Sequence, residues 1–86
     1  MMTMMLILCS NRQVRAIADE FEDWKAEGAG LEVRLYGTTA KAGDGFLLLA
    51  WSKPIPQKFF DKLRKDEDIL DYVTVGASFV QPVPLS

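Results

Sequence analysis

The segment Phe46-Leu47-Leu48-Leu49-Ala50-Trp51 constrains this chain more than any other. Side chains alternate along an extended strand. Leu47, Leu49 and Trp51 therefore share one face, and Phe46, Leu48 and Ala50 the other. Both faces are apolar, and such a strand needs cover on both sides. Chain length limits how much cover there is. Eighty-six residues make one domain, and a domain of this size buries only about 60% of its unfolded surface.

The rest of the chain supplies little helix. Residues 4–9 are a second continuous apolar run, bounded by Ser10, and read as another buried strand. Ser10 reads as a helix N-cap, with Gln13 three residues on completing a capping box. Val14, Ile17, Ala18, Phe21 and Trp24 follow at helical spacing, and Gly28 and Gly30 stop that helix. Leu31, Val33 and Leu35 then alternate with Glu32, Arg34 and Tyr36, a strand with one buried and one wetter face. Gly37, Gly43, Asp44 and Gly45 break the chain before the doubly apolar strand. Pro54 and Pro56 open a second helix. Phe59, Phe60 and Leu63 are its inward face, and Lys58, Lys62 and Lys65 its wet one. A last strand covers residues 69–75, with Val73 and Val75 alternating against Tyr72 and Thr74, and Gly76 ends it.

The order of elements is β-α-β-β-α-β, the ferredoxin-like α+β sandwich. It predicts a domain over residues 1–76, with an extended, docking tail over 77–86. The expected sheet is antiparallel with strands in the order 4-1-3-2. That order puts the two strands apolar throughout at the centre and the two amphipathic ones at the edges. Both helices cover one face. The other face is expected to carry Phe46, Leu48 and Ala50, alternate residues of the first strand, and Tyr36, Glu32, Arg34, Tyr72 and Thr74 at its margins. An apolar centre inside a polar, aromatic rim is the composition of an interface. Phe46, Leu48, Ala50, Tyr36, Tyr72 and Thr74 are therefore the candidate interface residues.

This pattern points to a non-catalytic interaction or regulatory module. It would form a homodimer or dock a protein partner through the open sheet face, unless residues 77–86 cover that face themselves. The alternative is a small cofactor-free enzyme or ligand binder. Its pocket would form at a dimer interface, lined by Tyr36, Trp51, Tyr72 and Cys9.

Composition narrows the chemistry. The net charge of −2 provides no basic field to recruit nucleic acid or an acidic membrane. Residues 44–51 resemble in outline the RNP1 strand of RNA-recognition motif domains, with Gly45, Phe46, Leu49 and Trp51 in place. However, Asp44 stands where that family has Lys or Arg, and Leu48 where it has a second stacking aromatic. The first strand has no aromatic either, and base stacking needs π-faces. The element order is also similar to that of regulatory ACT-type domains, although the turn Cys9-Ser10-Asn11-Arg12 lacks their glycine. No histidine is present, so zinc sites and acid–base catalysis that depend on histidine have no basis. No catalytic residue, metal or cofactor is assigned.

The single Cys9 has no partner for an internal disulfide, which suits a cytoplasmic location. Six apolar residues near the start are too few for a signal peptide or a membrane span. Cys9 reads as structural, although a helix N-terminus beside it would lower its pKa. Charge is sorted along the chain. Asp19, Glu20, Glu22, Asp23 and Glu27 cluster on the first helix, and Lys53, Lys58, Lys62, Arg64 and Lys65 on or near the second. These runs read as solvated faces, or as two halves of a pairing between copies.

Overall fold

The two runs that are apolar on both faces pair with each other at the centre of the sheet. In a computed structural model, which describes residues 2–40 and 43–76, they are β1 (Thr3–Ser10) and β3 (Asp44–Trp51). Between and after them come α1 (Val14–Ala26), β2 (Leu31–Thr38), α2 (Gln57–Lys65) and β4 (Ile69–Gly76). All strand pairs are antiparallel. The sheet order is β2-β3-β1-β4, which is 4-1-3-2 counted from the opposite edge. The expected tail over 77–86 lies outside the described residues.

Both helices lie on one face of the sheet, and the core is sealed between them and it. Met5, Ile7 and Cys9 of β1 and Leu47, Leu49 and Trp51 of β3 are wholly buried there. From α1, Val14, Ile17, Ala18 and Phe21 meet them, and from α2, Phe59 and Leu63. Phe59 is the hub. Its ring lies 5.1 Å from Phe21, 5.1 Å from Trp24 and 4.7 Å from Trp51, with both tryptophans edge-on. Such pairs add to the effect of burial alone.

The helix ends differ in part from the sequence reading. Ser10 is the last residue of β1 rather than an N-cap, and α1 begins at Val14 with Gln13 as its cap residue and no side-chain cap bond. Ser10 serves the turn through its backbone instead, its carbonyl accepting from the Gln13 N–H at 3.0 Å. Pro56 is likewise the cap of α2 rather than part of its first turn. The C-terminus of α1 ends as glycine placement dictates. Gly28 turns left-handed at φ 84°, Gly28 N–H reaches the Lys25 carbonyl, and Ala29 N–H reaches that of Trp24.

Candidate functional site

Directly opposed residues of antiparallel strands share a face, so the register sorts every strand residue. Leu47, opposite Ile7, belongs to the helix-covered face, and Leu48, opposite Leu6, to the open one. On the open face the strands line up in three rows. The first is Glu32, Ala50, Met4 and Val75. The second is Leu35, Leu48, Leu6 and Val73, one aliphatic side chain from each of the four strands. The third is Gly37, Phe46, Leu8 and Asp71.

The expected core of the candidate site, Phe46, Leu48 and Ala50, does lie together on this open face. Tyr36, Tyr72 and Thr74 do not. Tyr36 stands opposite Leu47, and Tyr72 and Thr74 stand opposite Ile7 and Met5, so all three are on the helix side. Tyr72 packs against Phe60 of α2 at 5.9 Å. The physical cause is the same at both edges. Register slips by one residue between Val33 and Leu35 in β2, leaving Arg34 as an extra residue. It slips again between Ile69 and Asp71, leaving Leu70 extra in β4. A β-bulge reverses the alternation beyond it. Leu35 is thereby turned to the open face and Tyr36 to the helix side, where it stays 44% exposed on the edge strand, and in β4 Val73 and Val75 are turned to the open face.

These reversals make the open face more apolar than sequence alternation implied. Leu35 is 56% exposed, Val73 54%, Val75 40% and Leu6 38%. Sequence reasoning missed Leu35, Val73 and Val75 entirely. It placed alternate residues of the first strand on this face, and they are Met4, Leu6 and Leu8. The available signal was the apolar character of both β1 faces. Charged groups stand at two diagonally opposite corners. At the β2 corner Arg34 pairs with Glu32 at 3.3 Å, and its guanidinium reaches the Met2 sulfur at 3.9 Å. At the β4 corner Asp71 accepts a hydrogen bond from the Tyr72 N–H at 2.8 Å.

The chemistry elsewhere is spare. Tyr36, Trp51, Tyr72 and Cys9 do not converge. Tyr36 and Tyr72 occupy the two edge strands with Leu47 and Ile7 between them, and Trp51 and Cys9 sit near opposite ends of the sheet inside the core. The buried Trp51 indole N–H has no hydrogen-bond partner. The Cys9 thiol is pushed up to about 11, first by burial and then by the negative charges of Asp66, Asp68 and Asp44. It is thus a protonated packing group at neutral pH rather than a nucleophile. Among the described residues no cluster of three or more potential ligands is placed to hold a metal. Among them, too, no helix is long and apolar enough to cross a membrane.

The sorted charges of the two helices meet within the molecule. Lys62 of α2 pairs with Glu20 of α1, and Lys58 lies over the Trp24 ring at 5.2 Å. A shallow groove of 370 Å3 between α1 and β2, lined by Ala18, Asp19, Glu22, Val33 and Tyr36 among others, is open to solvent.

Comparison with known proteins adds one local likeness. The chain is 44% identical over 43 residues to 1-deoxy-D-xylulose-5-phosphate synthase of Stenotrophomonas maltophilia (strain K279a). That stretch is half of this chain but 7% of the synthase. No family model matches the chain. No solved structure matches it either. So small a share of an enzyme carries none of its activity across.

Proposed function

We propose that this protein is a non-catalytic interaction module whose open sheet face binds a second copy of the chain. The observation that carries the reading is the aliphatic row Leu35, Leu48, Leu6 and Val73, which crosses all four strands on the face without helices. Exposed apolar surface of this continuity marks an association site. A symmetric dimer suits it, because a two-fold axis lets one patch cover itself.

The size fits. Four strands about 4.8 Å apart and eight residues long at about 3.3 Å each give a footprint of roughly 500 Å2. Two such faces cover roughly 1,000 Å2 at most, the size of a weak dimer that dissociates on dilution. The absence of convergence among Tyr36, Trp51, Tyr72 and Cys9 weighs against a ligand pocket as the main purpose. A buried, unactivated thiol accords with a cytoplasmic location.

The test is sedimentation equilibrium on the full chain, with light scattering as a cross-check. A dimer that dissociates on dilution is the expected result. A monomer at every attainable concentration overturns the proposal.

A further inference from the structure

We propose that the two copies stack with their strands crossed at roughly a right angle, so that Arg34 of each copy meets the partner subunit's Asp71. This rests on the dimer proposed above and specifies its geometry.

The three rows and four strands of the open face form a nearly square patch. Three strand spacings are about 14 Å, and two row spacings, each two residues along a strand, are also about 14 Å. Two such patches brought into full overlap by an in-plane two-fold axis have four directions to choose from. The charged corners, Glu32 with Arg34 on β2 and Asp71 on β4, discriminate among them.

With the axis along the strands, Glu32 is laid on the partner subunit's Val75 and Asp71 on the partner subunit's Gly37. With the axis across the strands, Glu32 faces the partner subunit's Gly37 and Asp71 the partner subunit's Val75. In both arrangements Glu32 keeps Arg34, but Asp71 is pressed against a surface that offers it no side-chain donor, which is unfavourable. With the axis along the diagonal from Glu32 to Asp71, each Asp71 meets its own copy with no cation between the two, and like charges oppose one another. The remaining diagonal, from Gly37 to Val75, lays Glu32 opposite the partner subunit's Asp71 with Arg34 between them, one guanidinium for two carboxylates. There the Arg34 guanidinium, with five N–H donors, is able to serve Glu32 and the partner subunit's Asp71 together. Asp44, one row beyond the patch and opposite Ser10, falls outside the overlap.

An axis at about 45° to the strands relates the two sets of strands by about 90°, the orthogonal class of sheet packing. The central row of each copy then crosses that of its partner, and Val75 lies near its own counterpart on the axis.

Charge reversal tests the arrangement. Arg34→Glu and Asp71→Arg are each made alone and together in the full chain, with circular dichroism to confirm folding and sedimentation to give the dissociation constant. Arg34→Glu alone leaves three carboxylates and no cation at each charged corner and is expected to raise that constant about tenfold or more, whereas Asp71→Arg alone leaves Glu32 between two cations and is expected to change it little. The double reversal restores both contacts and is expected to bring it back to within about threefold of the wild type. If the wild type dimerises but Arg34→Glu has no effect, or adding Asp71→Arg to it weakens association further, the crossed arrangement is wrong and the dimer stands. If the wild type is monomeric, the underlying dimer fails and this geometry fails with it.

Discussion

Replacing Leu48 with Glu separates folding from association. Leu48 is half-buried on the open face, between Leu35 and Leu6 in the central row. In the monomer a glutamate there keeps its carboxylate in water, and the fold loses about 1–2 kcal/mol of apolar burial at most. In a stacked dimer the same carboxylate lies at the middle of a dry interface, twice over. An uncompensated buried charge costs about 3–5 kcal/mol. Two of them at the lower figure weaken association by about 6 kcal/mol, which is roughly four orders of magnitude in the dissociation constant. The assay is sedimentation equilibrium beside urea denaturation of the same preparation. The expected variant is a folded monomer. A variant that dimerises like the wild type would refute the reasoning, as would one that fails to fold, since Leu48 would then belong to the core.

The core and the turns give further expectations. Leu49 is wholly buried opposite Met5 and Val33, so Leu49→Ala should lower stability by about 2–5 kcal/mol. A loss under about half a kcal/mol in urea denaturation would contradict that burial. Gly28 and Gly30 share a left-handed backbone, at φ 84° and 83°, so alanine at either should cost about 1–2 kcal/mol. A Cβ on Gly30 would sit 2.7 Å from Lys53 Cγ, whereas one on Gly28 would meet nothing within 4 Å. Gly30→Ala should therefore be the worse of the two by thermal melting, and equal losses would show that the Lys53 stem moves aside freely. The Cys9 thiol has a folded pKa of about 11 against an ordinary 9.0. Folding thus favours the protonated form, so its contribution is complete below pH 9 and is lost as pH rises from 9 to 11. Stability measured across that window should fall more steeply for the wild type than for Cys9→Ala; parallel curves would contradict the shift.

The fold was legible because its two most apolar segments could occupy only central positions. Once residues 4–9 and 46–51 are placed side by side, the edge strands and the single helical layer fall into place around them. The faces of β3 were legible too, since strict alternation holds along it from Phe46 to Leu49. The edge strands were not. Leu31 and Ile69 begin β2 and β4 on the helix side, as alternation requires, and the reading holds as far as Val33 and Ile69. Beyond Arg34 and Leu70 it is inverted. Neither residue advertises a bulge, for no glycine or proline marks either site, and each slip is fixed by pairing with a neighbour distant in sequence. That is why Phe46, Leu48 and Ala50 were placed correctly while Tyr36, Tyr72 and Thr74 were not. Apolarity itself misled here. Val73 and Val75 look like core residues, yet Tyr72 is the one that reaches Phe60.

Alternation along a strand is a parity code, and Arg34 and Leu70 each add a single digit that inverts every later position in the strand. The identity of the exposed surface therefore depends on chain length as much as on residue choice. Deleting Arg34 would move Leu35 to the helix side of the sheet and Tyr36 to the open face, with no other letter changed. Deleting Leu70 would exchange Val73 and Val75 for Tyr72 and Thr74 in the same way. A gene family built on this scaffold has a short mutational path to a new surface, because one lost codon rewrites half of an edge strand.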